Sequence, residues 1–551
     1  MSDCDRCDAV VVGAGFAGLY MVHRLTRMGL SVRAYEAGDG VGGTWYWNRY
    51  PGCRCDVESL DYSYSFDPEL EQDWTWTERY PAQAEVERYL NHVADRFGLR
   101  RHIRLRTRVT AAGYDESARR WTVETDTGEV VSARFCILAV GCLSNRNVPD
   151  LPGLPTFGGT VSHTGAWPAE GIGFTGQRVG VIGTGSSGVQ VIPPIARQAA
   201  HLHVFQRTPH FVVPANNHPL AAAASDERKA RYPAHREMLR GGFFGFTLAV
   251  NPQSALEATP EEREAAYEAA WQRGGPALLG TFGDLIVDPD ANATAADFVR
   301  RKITETVHDP EVAERLCPRD YPIGTKRLVQ GTGYYETYNR PNVTLVDLRR
   351  EPLREVTGAG VRTAEREYAL DALVLATGYD AVTGPIRAID IRGRGGRALR
   401  DKWADGPHTH LGVASAGFPN LFMITGPASP SVVSNVVLSI EQHVDWIADC
   451  LRHLSDHDLA TIEPTAEAEA AWMAHTAEVA EATLFPRADS WYLGANIPGK
   501  PRVFLAYLGG VGEYRRHCEE VVAGGYAGFV TEPARRAPSA RAASLAHPTS
   551  G

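Results

Sequence analysis

The sequence predicts an α/β protein made of two doubly wound units, the second inserted into the first. Two turns with the spacing G-x-G-x-x-G, at 13–18 and 183–188, each follow a short apolar strand. Two further apolar runs, 135–141 and 372–380, resemble strands that return to the same sheet, one for each unit. Residues 215–320 are instead rich in Ala, Glu and Arg. Because such turns aim a helix N-terminus at a pyrophosphate, we expect two Rossmann-like dinucleotide-binding domains with a mainly helical insertion.

Composition limits the class of protein. A length of 551 residues favours more than one domain, and 44% hydrophobic with 22% charged residues is typical of a globular protein. A net charge of -10 argues against a nucleic-acid partner. No apolar run reaches membrane-spanning length and the N-terminus is acidic, so we expect no membrane association and a cytoplasmic location. Oligomeric state stays open.

Nine scattered cysteines do not form a disulfide framework. Cys4 and Cys7 have the spacing of a redox or metal pair, but no second pair supplies the other two ligands. We therefore favour two unrelated thiols in a flexible terminus and predict no metal site.

The first unit begins with the strand 8–12, and its turn contains Gly13, Gly15 and Gly18. Glu36 ends the next strand, where an acid hydrogen-bonds the ribose hydroxyls of an ADP group. The alternative is a βαβ unit whose glycine turn is merely structural. The agreement of strand, glycines, helix and acid favours a site for FAD.

The second unit repeats this spacing but has no acidic residue at the position that corresponds to Glu36. Its turn contains Gly183, Gly185, Ser186 and Gly188. Gln206 lies as far from Gly188 as Glu36 lies from Gly18, and Arg207 and Thr208 follow it. A carboxylate would repel a 2′-phosphate, whereas arginine binds one with paired hydrogen bonds. This unit therefore suits NADPH better than NADH, although a single arginine can also be an ordinary surface charge.

These patterns divide the chain into segments. Thr259 followed by Pro260 and Glu262 predicts a capped helix start within the insertion. The C-terminal segment is rich in Ala, Pro, Ser and Arg and is expected to be disordered. The predicted domains are an FAD-binding domain (1–149 and 381–531), an NADP-binding domain (150–214 and 321–380), a helical insertion (215–320) and a disordered tail (532–551).

Four longer motifs carry a family resemblance. Three of them are Gly42-Gly43-Thr44-Trp45 with Tyr50-Pro51-Gly52 and Asp56, Lys326-Arg327 before GYYETYNRPNV, and Trp491 with GANIPGKPRVF. The fourth is Phe157-x-Gly159-x-x-x-His163-x-x-x-Trp167-Pro168, between the two glycine turns. Together they resemble the Baeyer–Villiger monooxygenases over roughly residues 8 to 530. The run GPASPSVVSN at 426–435 is similar to the branch that contains the phenylacetone and steroid monooxygenases.

The resemblance implies an FAD- and NADPH-dependent oxygenation of a small-molecule ketone by O2. In this family a C4a-peroxyflavin attacks the ketone carbonyl and yields an ester or lactone. The cofactor supplies this chemistry, so the protein must supply orientation and charge. A fixed cation is needed because the attacking species and its adduct are anions.

By the same resemblance the catalytic residues are Arg327 and Asp56, the second holding the first in place. A plain domain-interface ion pair is the alternative for Arg327, and a loop cap is the alternative for Asp56. Lys326 joins Arg207 and Thr208 around the 2′-phosphate. The other cofactor-binding residues implied by the family motifs are Thr44, Trp45, Asp56, Tyr62 and Trp491.

Two further segments are assigned to domain motion and to the substrate pocket. His163 is not assigned as a general base, because the reaction needs an anion kept charged beside the ketone. With Trp167 it is instead expected to form a hinge or strut that couples NADP binding to closure. Val432 and Val433 are expected to line a pocket with room for a bulky ketone.

Other functions with the same two domains remain possible alternatives. A flavin monooxygenase acting mainly on sulfur or nitrogen is disfavoured by the intact segment 157–168. A non-catalytic nucleotide sensor would not need Arg327 or Asp56. A disulfide reductase needs a C-x-x-C pair at the flavin, and Cys53-x-Cys55 has the wrong spacing.

Overall fold

Two separate sheets form the frame of the protein, which the computed structural model describes over residues 6–534. The strands of the described chain are β1 (Arg6–Val12), β2 (Val32–Tyr35), β3 (Ile103–Arg104), β4 (Val109–Asp115), β5 (Arg120–Thr125), β6 (Val130–Leu138), β7 (Thr160–His163), β8 (Arg178–Ile182), β9 (His201–Gln206), β10 (Val212–Pro214), β11 (Val329–Gly331), β12 (Val343–Asp347), β13 (Leu353–Thr357), β14 (Gly360–Thr363), β15 (Glu367–Ala369), β16 (Ala372–Leu375), β17 (Asp390–Arg392), β18 (Leu421–Met423), β19 (Leu459–Pro464) and β20 (Phe529–Pro533).

Helices cover both sheets and fill the insertion. They are α1 (Phe16–Arg27), α2 (Thr44–Trp47), α3 (Pro68–Asp73), α4 (Gln83–Arg96), α5 (Ser186–Ala196), α6 (Ala222–Ala230), α7 (Tyr232–Gly241), α8 (Pro260–Arg273), α9 (Pro289–Thr306), α10 (Pro310–Leu316), α11 (Tyr334–Thr337), α12 (Thr383–Arg387), α13 (Leu399–Lys402), α14 (Val436–Asp456), α15 (Ala466–Glu481) and α16 (Val511–Ala523).

The two sheets repeat one arrangement. The first has the order β17-β4-β5-β6-β1-β2-β3, with β18 pairing to β6. The second has the order β12-β9-β8-β16-β7, and all its pairings are parallel. In each sheet the strand before the glycine turn lies between the next strand of its unit and a returning strand. The return of β6 and β16 to these sheets is the prediction made from the paired apolar runs. The predicted fold class is confirmed.

The glycine turns also repeat in detail. Gly13 has φ +109° and Gly183 has φ +105°, conformations that side chains disfavour. A Cβ on Gly18 would lie 1.9 Å from the carbonyl oxygen of Gly13, and one on Gly188 would lie 2.3 Å from that of Gly183. The absence of these side chains lets α1 and α5 pack directly on the ends of β1 and β8.

The chain between the two sheets is helical where the composition predicts it. Helices α6 to α10 occupy most of 215–320. Helix α8 begins with a complete capping box, in which the Thr259 side chain accepts from the Glu262 amide and the Glu262 side chain accepts from the Thr259 amide. The four sequence-based domain boundaries before residue 382 stay a prediction, supported by the crossings between sheets after β6 and after β16.

Two expectations about the chain ends are wrong. Glu532 and Pro533 are not part of a disordered tail, because β20 pairs antiparallel with β19 and the Glu532 carboxylate accepts from Arg394 Nη2 at 2.6 Å. The rest of the expected tail, 535–551, lies outside the described residues. Cys7 is buried within β1 rather than in a flexible terminus, and Cys4 lies outside the described residues.

Helix α14 links the core to the loop before it. Its predicted apolar face is buried, with Val444, Ile447 and Leu454 fully inaccessible. It packs along α1, and Tyr20 Oη donates to Asp445 at 2.7 Å. Asn435 caps its first turn by accepting from the Val437 amide. The segment 431–435 is therefore fixed at one end by a buried helix.

Within the part of the chain described, no helix combines the length and the apolar composition needed to cross a bilayer.

Asn420 should be one of the more costly residues to replace in the first unit. It is inaccessible, has φ +58°, and its side chain bonds Arg134 O, Ala460 O and the Ile462 amide. Asn420→Ala leaves these buried groups unpaired and should cost about 2–4 kcal/mol of stability. Chemical or thermal unfolding measures this, with Asn91→Ala on the partly exposed α4 surface as the matched control. Equal midpoints for the two variants would contradict the prediction.

Candidate active site

A cavity of about 520 Å³ joins the first glycine turn to the N-terminal end of α5. This volume lies in the ordinary range for cofactor and small-molecule sites. The sequence-predicted residues that line it are Gly13, Gly15, Glu36, Thr44, Trp45, Asp56, Tyr62, Ser186, Arg327, Val432 and Trp491. Residues from both units and from the loop before α14 therefore share one space.

The other predicted residues lie outside this lining. Gly18, Gly183, Gly185 and Gly188 shape the two turns, and Arg207, Thr208 and Lys326 lie beside the second one. His163 and Trp167 belong to the connection between the sheets. Val433 is also outside this lining: its side chain, like that of Val432, packs against an apolar cluster that includes Tyr492 and Phe504, and its role in the substrate pocket stays a prediction.

The end of the cavity at β1 fits an ADP group. Glu36 is 6% exposed, and its carboxylate accepts from the amides of Ala14 and Gly38 at 2.9 and 2.8 Å. A carboxylate has about four acceptor positions, so positions remain for ribose hydroxyls. A Cβ on Gly15 would lie 3.2 Å from Gly43 Cα, so the turn and the G-G-T-W motif leave little room for a side chain where a pyrophosphate must pass.

The G-G-T-W motif builds the wall beside this site. Gly43, with φ +54°, begins the short helix α2 that carries Thr44 and Trp45. Trp45 Nε1 donates to Tyr62 Oη at 3.2 Å, and Gln83 Nε2 donates to the Trp45 carbonyl. These bonds hold two aromatic rings in fixed orientations at the cavity wall, as a planar cofactor ring requires.

The adjacent Tyr50-Pro51-Gly52 motif joins the two units. Tyr50 Oη donates to Gln190 Oε1 at 2.8 Å, and Gln190 Nε2 donates to the Arg54 carbonyl at 3.0 Å. A Cβ on Gly52 would lie 2.3 Å from the Gln190 carbonyl oxygen. Gly52 is thus required for the close approach of the first unit to α5.

Beside the second turn, positive charge is only partly compensated. Lys326 Nζ donates to the Asp489 carbonyl at 2.5 Å, and Arg207 is exposed nearby. Burial lowers the pKa of Lys326; the Asp489 carboxylate opposes this shift, and the Arg207 charge adds to it. Thr184 Oγ1 donates to the Thr208 carbonyl at 3.0 Å and fixes the backbone next to Arg207. Two neighbouring cations suit a phosphate ligand, so these residues fit the 2′-phosphate of NADPH.

Arg327 has three hydrogen bonds at the centre of the cavity. Its Nε and Nη2 donate to Asp56 Oδ2 at 2.9 and 2.7 Å, and its Nη1 donates to the Val432 carbonyl at 2.8 Å. Burial by itself lowers the pKa of Arg327, but the Asp56 carboxylate and the Tyr492 hydroxyl together raise the pKa above its usual value. The guanidinium is therefore a permanent cation in one orientation.

The loop before α14 is held in an unfavourable conformation. Ser431 has φ +43°, which a residue with a side chain rarely adopts. Its hydroxyl lies 2.9 Å from Cys142 Sγ, and the same thiol donates to the Thr425 carbonyl at 3.3 Å. These contacts place the Val432 carbonyl where Arg327 reaches it.

The segment 157–168 spans the two sheets. His163 ends the edge strand β7, and its Nδ1 accepts from the Gly165 amide at 2.9 Å. Burial, with a smaller contribution from Arg146, lowers the pKa of His163 to about 4, so the ring is neutral near pH 7. The Trp167 amide donates to the Trp47 carbonyl of α2 at 3.3 Å. The segment thus connects the second sheet to the wall of the FAD end.

Sequence patterns missed three supports of the site. Gln330 Nε2 donates to the Asp56 carbonyl at 2.8 Å, and Cys142 holds Ser431. The Tyr492 hydroxyl also lies near Arg327, and burial raises the pKa of that phenol. Gln330 lies on β11, three residues after Arg327, and Tyr492 directly follows Trp491. Their closeness in sequence to these motif residues is the signal that could have identified both.

Cys53 and Cys55 do not behave as a redox pair. Both are buried free thiols at the cavity wall, and burial raises the pKa of Cys53 to about 12. A reactive thiol needs a lowered pKa.

The chain is similar in sequence and structure to known proteins. Residues 7–231 match the model of the pyridine nucleotide-disulphide oxidoreductase family. A Baeyer-Villiger monooxygenase of Pseudooceanicola batsensis is 46% identical over 95% of this chain and 96% of its own. A phenazine N-monooxygenase of Lysobacter antibioticus is 45% identical over 96% of this chain and 98% of its own. The structure of an oxidized steroid monooxygenase bound to NADP is 53% identical, with a TM-score of 0.92 over 96% of this chain and 100% of its own.

Similarity of this extent, together with the shared FAD and NADP architecture, shows that the protein belongs to the Baeyer–Villiger monooxygenases, flavoproteins that use FAD and NADPH to insert one oxygen atom of O2 next to a ketone carbonyl.

Proposed function

We propose that Arg327 is the catalytic cation of this enzyme and that Asp56 is its positioning partner. The observation that carries the proposal is the guanidinium fixed by Asp56 Oδ2 and the Val432 carbonyl in the shared cavity. About 28% of the Arg327 side chain is accessible, and it faces the cavity, so its charge can act on a bound molecule. A preorganised cation stabilises negative charge that develops on oxygen without reorganisation.

FAD and NADPH, when bound, supply the redox chemistry and the activation of O2. Gly13, Gly15 and Glu36, with Thr44, Trp45 and Tyr62, bind FAD in this proposal, because they line the end of the cavity that fits ADP and a planar ring. The second turn and Ser186 bind the NADPH pyrophosphate at the N-terminus of α5. Arg207, Thr208 and Lys326 bind its 2′-phosphate.

The cation site also has an apolar side. Val432, Val436, Ile440 and Trp491 contribute to the same lining as Arg327. A ketone bound against them would present its carbonyl oxygen to the guanidinium. Small and branched side chains leave room for a bulky ketone. His163 and Trp167 couple closure of the second sheet to the wall formed by α2, because their segment contacts both.

Oxygen transfer to an aromatic ring nitrogen is a second candidate, because a relative of similar identity is named a phenazine N-monooxygenase. A panel of ketones and N-heteroaromatics with NADPH and O2, scored by mass for one added oxygen atom, distinguishes the two. Ester formation supports the proposal, and N-oxide formation without any ester contradicts it.

Removing the Arg327 charge should affect ketone oxygenation much more than flavin reduction by NADPH. In Arg327→Ala, ketone oxygenation should fall about 10²–10³-fold, because a comparable charge-stabilising donor is worth about 2.7–4 kcal/mol. Flavin reduction by NADPH, followed as bleaching, should stay within a few-fold of wild type. Arg354→Ala, at an exposed position on β13, is the control. Normal oxygenation by Arg327→Ala would exclude the assigned role.

Arg207 should determine the choice of dinucleotide. Arg207→Gln removes a charged partner of the 2′-phosphate and should lower the NADPH-over-NADH preference in kcat/KM by about 10–100-fold. The kcat/KM for NADH should change little, because NADH lacks that phosphate. Equal losses with both dinucleotides would show that Arg207 acts on a part they share.

Lys326 should make NADP+ affinity depend on pH. Because its pKa is lowered in the free protein and a phosphate would raise it in the complex, binding takes up a proton and affinity falls as pH rises. Kd values measured by calorimetry between about pH 7 and about pH 10 test this. The pH range is chosen because a lysine with a lowered pKa loses its proton below the usual lysine pKa. Lys326→Arg stays charged, so its Kd should change less. Parallel curves for the two proteins would contradict the assignment.

A further inference from the structure

A second pocket, of about 460 Å³, lies away from the dinucleotide cavity, where the helical insertion meets the first unit. Its charged lining consists of Arg79, Arg228, Arg273 and Glu58, and we call it the basic pocket. None of these four residues lines the dinucleotide cavity. The established reaction therefore gives the basic pocket no role.

The arginines of the basic pocket have hydrogen-bonding capacity to spare. Arg79 uses Nε for Glu58 Oε1 at 2.9 Å and Nη1 for the Arg273 carbonyl at 2.8 Å. Arg228 uses only Nη1, which lies 3.1 Å from His235 Nε2 and 3.5 Å from Asp61 Oδ1. Among residues 6–534, Arg79 Nη2, Arg228 Nε and Nη2, and the whole Arg273 guanidinium have no hydrogen-bond partner. These donors are available to a ligand.

Local charge in the basic pocket is positive. Three guanidinium groups face the Glu58 carboxylate of the lining and the buried Asp61 carboxylate, which lies 3.5 Å from Arg228 Nη1. The C-terminal end of α8 adds partial negative charge. Its last carbonyls, however, already accept hydrogen bonds from Asn216 Nδ2 and Arg79 Nη1. The whole protein has a net charge of -10, but arginines outnumber carboxylates in this concave site. This local excess of positive charge favours the binding of an anion.

We propose that the basic pocket binds a multivalent oxyanion, a polyphosphate or a polycarboxylate. The guanidinium fork matches the oxygen geometry of both groups, and several arginines are needed to neutralise more than one charge. The pocket volume lies within the range of small-molecule sites. Diphosphate is the probe for a polyphosphate ligand, and citrate is the probe for a polycarboxylate ligand.

Such a ligand would connect two parts of the chain. Arg79 precedes α4 in the first unit, whereas Arg228 lies on α6 and Arg273 ends α8 in the insertion. Arg228 also adjoins Asp61, whose Oδ2 accepts from the amide and hydroxyl of Thr247, each at 3.0 Å. An oxyanion bridging these arginines would stabilise the contact between insertion and first unit by mass action.

The test uses the FAD-loaded enzyme saturated with NADP+, so that the sites beside Arg207 and Lys326 are filled. Calorimetry and thermal unfolding are measured with diphosphate and with citrate at constant ionic strength. The expected result is saturable binding of at least one anion, with a raised unfolding midpoint. Arg273→Gln should weaken that binding about tenfold, because it removes a charged hydrogen-bond donor.

Arg273→Gln is the clean variant, because the side chain has no hydrogen-bond partner within the described chain to lose. Arg88→Gln, at an exposed position on α4, is the matched control with the same change in charge. Absence of saturable binding for both anions would overturn the proposal, and so would binding that Arg273→Gln and Arg88→Gln weaken equally. Ketone oxygenation is not part of this readout, so its outcome is separate from the role of Arg327.

Discussion

The ion pair between Arg327 and Asp56 is the constraint on which the rest of the site depends. Asp56 comes from the first unit, Arg327 from the second, and the third partner, the Val432 carbonyl, from the loop before α14. A partly buried guanidinium must have its charge and its N–H groups satisfied, because an unpaired one costs several kcal/mol. Three distant parts of the chain must therefore meet at one point for the protein to fold as it does, and that point faces the cavity.

The remaining architecture brings these three parts together. The repeated glycine turns let α1 and α5 approach their strands, and Gly52 lets the first unit approach α5. Buried α14 fixes one end of the loop that presents Val432, while Cys142 fixes Ser431 within it. Two copies of one nucleotide-binding arrangement thus contribute to the cavity that Arg327 lines.

Periodic and glycine-rich patterns predicted the two sheets, the strand that returns to each of them and the capped start of α8, because these features depend on local residue types. The pairing of Arg327 with Asp56 was available only through resemblance, since spacing alone also fits a plain interface ion pair. The Val432 carbonyl had no sequence signal at all, because every residue carries a carbonyl. Val432 lines the cavity and Val433 does not, a difference within the 3-10 turn Ser431–Val433 that no sequence pattern indicates. The assigned cofactor and substrate roles of individual residues stay predictions.

If the proposed roles are right, Asp56 acts on the reaction only by holding Arg327. A double-mutant cycle of Asp56→Ala and Arg327→Ala, read as kcat for ketone oxygenation in the FAD- and NADPH-loaded enzyme, tests this directly. The double variant should be no slower than Arg327→Ala alone, because without the guanidinium there is nothing left to position. Additive losses from the two substitutions would mean that Asp56 acts independently, and would contradict the account.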